Sequence, residues 1–159
     1  MTVKIDDPEK MTATEHTIAT CNSLLRGEIS AVEVYEQAIE KFEEEPEIPS
    51  LRAIRTEHDN SAKQLEEFVL SLRGLPEVGS GAWGVTTHAI QATANFFGEN
   101  SALRSLMQGE DIGRGAYLAA LDDDNMLPEG KLLIRDRLLP RVNEHLSKLN
   151  QLLESLNEG

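Results

Sequence analysis

Leu24-Leu25-Arg26-Gly27-Glu28, with Tyr35 seven residues on and Ala38-Ile39-Glu40 after it, has a near copy eighty-two residues later. The copy reads Leu106-Met107-Gln108-Gly109-Glu110, then Tyr117, then Ala120-Leu121-Asp122. A second echo sets Glu57-His58 and Leu65 against Glu144-His145 and Leu152. Each half of the chain thus carries a Glu/Tyr segment followed by a Glu-His segment. That order predicts two related helical hairpins.

Caps and breakers place the helices. Thr12-Ala13-Thr14-Glu15 reads as a capping box, in which hydroxyl and carboxylate satisfy amides the helix start leaves free. Behind it Ile18, Cys21, Leu25, Val32, Ile39 and Phe42 recur at helical spacing, and the helix is expected to end near Glu44, before Pro46 and Pro49. The acidic run Glu43 to Glu47 would oppose a helix C-terminal dipole and is read as loop. A second helix should start with Ser50 as cap and carry Leu51, Ile54, His58, Leu65, Phe68 and Leu72 on one face. Arg73-Gly74 and Pro76 form its stop, with the glycine expected in the left-handed position.

The irregular stretch Leu75 to Gly84 is the expected crossover, with Trp83 pinning it to the bundle. A third helical region is expected from Thr86 or Thr87, interrupted near Gly98, and resuming from Asn100 or Ser101 to about Leu121. Its Gly109, Gly113 and Gly115 each cost about 1 kcal/mol relative to alanine, which points to a close neighbouring helix or a local irregularity. The fourth helix should run from Pro128 to Leu156, kinked at Pro140, with Val142, His145, Leu149, Leu152 and Leu156 buried.

Composition bounds the partners. The 159 residues carry a net charge of −13, which opposes phosphate backbones and argues against nucleic acid. Lys131, Arg135, Arg137 and Arg141 form a basic stripe already balanced by neighbouring acids. No apolar run is long enough to cross a bilayer, and no leader pattern precedes Met11. The single cysteine, Cys21, precludes an internal disulfide and suits a reducing, cytoplasmic setting. The domain expectation is a flexible tail over 1–11 and one helical bundle over 12–159.

On the first helix Leu25, Glu28, Val32, Tyr35 and Ile39 follow one another at spacings of three and four, so Glu28 and Tyr35 face inward. Glu110 and Tyr117 repeat this on the third. A first hairpin turning near residue 46 puts Tyr35 level with His58 and Glu28 about 10 Å further along the axis. Glu–His and Tyr–His contacts therefore both remain open. Glu28, His58, Glu110 and His145 are the candidate metal ligands, for zinc, iron or manganese. Tyr35, Tyr117, Glu57 and Glu144 are the candidate supporting or polar-core residues. Adjacent residues stand about 100° apart on a helix, so inward His58 and His145 would leave Glu57 and Glu144 mostly outward. The competing reading is a buried network in which these groups satisfy only one another.

Two hairpins with a long crossover, carried by Leu24 to Tyr35, the Gly74-Leu75-Pro76 stop and Gly109-Glu110 to Tyr117, resemble the ferritin-like superfamily. The closest likeness is to its small bacterial families of unknown function. The resemblance implies an all-α four-helix up-down bundle with a pseudo-twofold axis. In metal-binding members two helices each give a Glu and the other two each give a Glu-x-x-His pair. Here the residues three before His16, His58, His88 and His145 are Ala13, Arg55, Val85 and Val142, so that motif is absent. The expectation is therefore a non-catalytic bundle without a cofactor, acting as a structural or stress-related homo-oligomer (a dimer) or through a protein partner. A helical adaptor presenting Asn95 to Leu106 is one such form. The alternative is a metal-binding redox or metal-handling protein using the reduced Glu/His set.

Overall fold

A computed structural model describes residues 11–77 and 98–158. They form an all-α bundle of four helices. Helix α1 spans Ala13–Lys41, α2 Ile48–Ser71 and α3 Glu99–Leu121. The fourth, α4, is continuous over 128–158: α-helical Pro128–Leu133, a π turn at Ile134–Leu138, then α-helical Leu139–Glu158.

The start of α1 is the expected capping box. Thr12 Oγ1 accepts from the Glu15 amide at 3.1 Å, and the Thr12 amide donates to Glu15 Oε2 at 3.2 Å. The helix stops at Lys41, three residues before the expected end. Helix α2 begins at Ile48, ahead of Ser50, because the fixed φ of Pro49 suits a first turn whose amides have no helical partner anyway. At its far end the left-handed residue is Arg73 (φ 63°), not Gly74. The Arg73 amide donates to the Leu70 carbonyl and the Gly74 amide to the Val69 carbonyl, the paired bonds of a Schellman motif. Gly74 is needed for space: a β-carbon there would stand 2.8 Å from Ile18 Cγ2 and 3.0 Å from Val69 Cγ1.

Where a kink is expected at Pro140, the helix has a π turn just before it. Proline has no amide to donate to the Asp136 carbonyl and its ring crowds that carbonyl. The chain responds by widening, and the Leu139 amide donates to Ile134. Ile134, Leu138 and Val142, spaced by four, all point inward and are at most 2% exposed. An α-helix would rotate residues at that spacing steadily off one face, and the wider turn cancels the drift.

Two apolar clusters fill the bundle. One contains Val34, Ala38, Ile48, Leu51, Leu103 and Leu149; the other contains Cys21, Leu25, Leu65, Val69, Ala120 and Leu138. Reading each helix against them gives its direction. Helices α2 and α3 both run from the first cluster to the second, α1 and α4 the other way. Parallel α2 and α3 need a connection that returns along the bundle, which is the crossover topology. Helix α1 packs chiefly on α2 and α3 on α4. Ala102, Leu103 and Leu106 are core residues, so the described part of the proposed adaptor segment has its apolar face already covered. Trp83, His88, Phe96 and Phe97 lie outside the described residues.

Other sequence expectations meet specific partners. Cys21 is buried, and burial pushes its thiol up to about 11, as suits a packing residue. His16 Nε2 lies 2.6 Å from Asp123 Oδ2, tying the start of α1 to the α3–α4 turn. Nearby, Thr17 Oγ1 accepts from the Leu127 amide at 2.9 Å and donates to the Ala13 carbonyl at 2.8 Å. The connection between α3 and α4 is thus held to α1 at two points, Asp123 and Leu127.

Candidate functional site

Between the two apolar clusters lies one polar layer, to which every helix contributes: Glu28 from α1, His58 from α2, Glu110 from α3 and His145 from α4. All four are at most 5% exposed. Each occupies a core-facing position three or four residues from apolar core neighbours, such as Leu25, Ile54, Leu106 and Val142. The layer is the price of four polar residues on otherwise apolar stripes, and it holds only because they pair.

His58 is its centre. Nδ1–H donates to Glu28 Oε2 at 2.6 Å and Nε2–H donates to Glu110 Oε1 at 2.6 Å. Ionised carboxylates only accept, so both ring nitrogens carry a proton and the ring is an imidazolium. Burial opposes that charge, but Glu28 and Glu110 outweigh it and raise the pKa to about 10. Burial likewise disfavours ionised Glu110, yet hydrogen bonds from His145 and His58 bring it down to about 2.

The tyrosines cross between the repeats. Tyr35 donates to Glu110 Oε1 at 2.7 Å and Tyr117 donates to Glu28 Oε1 at 2.5 Å. Burial, then the neighbouring carboxylates, push both phenols well above their ordinary pKa, so they remain donors. The Tyr35 ring also leans on His58, with centroids 5.3 Å apart. Both kinds of contact left open by the sequence therefore occur: His58 hydrogen-bonds the glutamates and packs against the tyrosine.

His145 stands beside this group, its ring centroid 4.7 Å from that of His58. Its Nδ1 is 3.4 Å from the Glu110 carboxylate and its Nε2 is 2.5 Å from Glu57 Oε2. Glu57 was expected to point mostly away. It sits at the edge of α2, and its long side chain reaches His145 while the carboxylate keeps partial contact with solvent. Glu144 is exposed and takes no part in the described layer. One donor atom each from His58, Glu110 and His145 lie within 4.8 Å of one another, a spacing that can hold a metal ion.

A cavity of about 710 Å³ between α1 and α3 ends on this layer. Eighteen of its twenty lining residues form nine pairs separated by the eighty-two-residue repeat, among them Ser23 with Ser105, Gly27 with Gly109, and Ala31 with Gly113. His58 and Val142 complete the lining. The α3 glycines point, in the sequence, to a close neighbouring helix or a local irregularity. Instead, among the described residues, a β-carbon at Gly27, Gly109, Gly113 or Gly115 would meet nothing within 4 Å. The repeat itself was the available signal: its identical and small residues line a space.

A second carboxylate group, Glu45, Glu47 and Glu99, joins the α1–α2 turn to the start of α3. The hydrogen bond with Glu99 raises the Glu45 pKa, and burial raises that of Glu99. It contains no imidazole and no phenol.

The family described as Domain of unknown function (DUF2383) matches residues 16–123. That span includes Glu28, Tyr35, Glu57, His58, Glu110 and Tyr117, and stops before α4 and His145. No curated protein and no solved structure matches the chain.

Proposed function

The chain belongs to that family of unknown function, and from its geometry we propose that it is a metal-binding protein whose site is His58, Glu110 and His145. One observation carries the reading: each imidazole turns one nitrogen toward Glu110 and gives the other to a separate carboxylate. His58 Nε2 and His145 Nδ1 face Glu110, while His58 Nδ1 is on Glu28 and His145 Nε2 is on Glu57. Histidine ligands of metal ions carry this second hydrogen bond almost without exception, because it fixes the tautomer and raises ligand basicity. Tyr35 orients Glu110 in the same way.

Two imidazoles and one carboxylate suit zinc, ferrous iron or manganese, with positions left for water or an added ligand. His58 Nε2, His145 Nδ1 and the Glu110 carboxylate would hold the ion, with His58 giving up the proton it now donates to Glu110. Glu28, a candidate ligand in the sequence, becomes the group that positions His58. The chain's own residues would then orient the two imidazoles and Glu110 toward the ion. This reduced set, one layer in a crossover bundle, supports a ferritin-like ancestry with a mononuclear site in place of a carboxylate-bridged pair.

A purely structural network explains the same hydrogen bonds but gives the chain little, because buried ion pairs stabilise no better than apolar packing. Elemental analysis of protein purified without a metal-chelating tag, followed by cobalt titration read in visible absorption, tests the proposal. One equivalent per chain is expected, lost in Glu110→Gln and in His145→Gln. Metal-free protein whose melting temperature ignores added zinc, ferrous iron, manganese and cobalt would overturn it.

A further inference from the structure

The α1–α3 cavity has dimensions and chemistry that the three-ligand site does not use. About 710 Å³ far exceeds the volume of one ion. The cavity touches His58, Glu28, Glu110, Tyr35 and Tyr117 but neither His145 nor Glu57. It therefore meets the polar layer from one side only, where both repeats present their carboxylate. We infer that this cavity is the passage by which a hydrated divalent cation reaches the site, with Glu28 and Glu110 at its inner end drawing the ion in.

The inference rests on the metal reading and adds to it a path and a direction. Carboxylates at the end of a cleft with low-dielectric walls focus the field and speed the arrival of a cation. Arg26, at the rim, is ion-paired with Glu77 and so does little to oppose it. Eight of the twenty lining residues are glycine, alanine or serine, which leaves room for an ion that keeps part of its water. Gly27 and Gly109 are paired by the repeat and both line the cavity, and among the described residues a β-carbon at either would meet nothing within 4 Å. Glycine in a helix interior is otherwise a cost, about 1 kcal/mol relative to alanine. An open passage is the reason these positions remain glycine.

Stopped-flow cobalt binding to the intact chain tests the passage. In Gly27→Leu/Gly109→Leu the added side chains narrow the cavity, and the association rate constant is expected to fall at least tenfold. The dissociation rate constant should fall with it, leaving the equilibrium affinity within threefold. Gly115→Leu is the control, on the same helix as Gly109, equally uncrowded among the described residues and outside the cavity lining; its rates should match the wild type. The wild-type association rate should also drop as ionic strength rises. Unchanged association in the double variant, or equal slowing in Gly115→Leu, overturns the passage while leaving the metal site standing. Absence of cobalt binding by the wild type overturns the metal reading, and the passage with it.

Discussion

Tyr35 donates its hydrogen bond to Glu110, the carboxylate of the other repeat, at 2.7 Å. Tyr117 does the reverse for Glu28. This exchange stitches α1 to α3 across the bundle through the polar layer, where apolar packing is interrupted. It also makes the two tyrosines inequivalent in consequence, since Glu110 faces both imidazoles and Glu28 only one.

Tyr35→Phe removes a donor from a buried, ionised carboxylate. A hydrogen bond to a charged group contributes about 1.5–3 kcal/mol, and urea unfolding should show a loss of that order. Outer hydrogen bonds on metal ligands typically control affinity by roughly 10–100-fold, so cobalt affinity should weaken in that range. Tyr117→Phe should destabilise the metal-free protein to a similar degree. Its effect on cobalt affinity should be smaller, because it reaches the ion only through Glu28 and then His58. Equal losses of affinity in the two variants would contradict the assignment of Glu28 as a positioning group.

The metal-free protein should be most stable in weakly acidic solution. His58 is raised from 6.5 to about 10 in the folded state, so its contribution is complete below 6.5 and is lost as pH climbs through 10. Glu110 is lowered from 4.5 to about 2, so its contribution is present above 4.5 and is lost as pH falls toward 2. Urea midpoints measured across pH should therefore decline on both sides of the interval between the two unfolded values. His58→Gln should flatten the alkaline decline specifically.

Much of this was legible in the sequence, and the misplacements have physical causes. The repeat and the capping box located α1 and α3 because both are local patterns. Glu28, His58, Glu110 and His145 were identifiable as inward polar residues because each falls on an apolar stripe. Their level was less certain. Residues 28 and 58 are equidistant from position 43, whereas a turn centred at 46 matches His58 with Tyr35 instead. A shift of a few residues in a turn doubles along an antiparallel pair. The reach of Glu57 was hidden for another reason: angular arithmetic fixes where a Cβ points, while a glutamate at the edge of a face still has two further carbons to swing inward.

Arg73 and Gly74 exchange the roles their types suggest, and this can be measured. Arg73 holds φ 63°, a left-handed conformation that costs a side-chain-bearing residue about 1–2 kcal/mol. Arg73→Gly should raise stability by up to about 1 kcal/mol after the added freedom of the unfolded chain is counted. Gly74→Ala should lower it, because the new methyl group meets Ile18 and Val69 at 2.8 to 3.0 Å. Thermal unfolding of the two variants distinguishes this arrangement from one with the glycine left-handed, in which Arg73→Gly would gain nothing.

Glu57 and Glu144 occupy matching places beside the two histidines, yet only Glu57 reaches an imidazole, at 2.5 Å from His145 Nε2. Replacing Glu57 with alanine frees the imidazole to rotate and to present either nitrogen to Glu110. Cobalt affinity should fall by roughly 10–100-fold, the usual cost of losing a carboxylate behind a histidine ligand. The Glu57→Gln side chain can still meet the ring through its amide oxygen, so it should recover part of that loss. Glu144→Ala, at an exposed position, should leave affinity unchanged. Isothermal titration of all three variants reads the comparison directly. An effect at Glu144 equal to that at Glu57 would mean that general negative charge, and not the hydrogen bond to His145, governs binding.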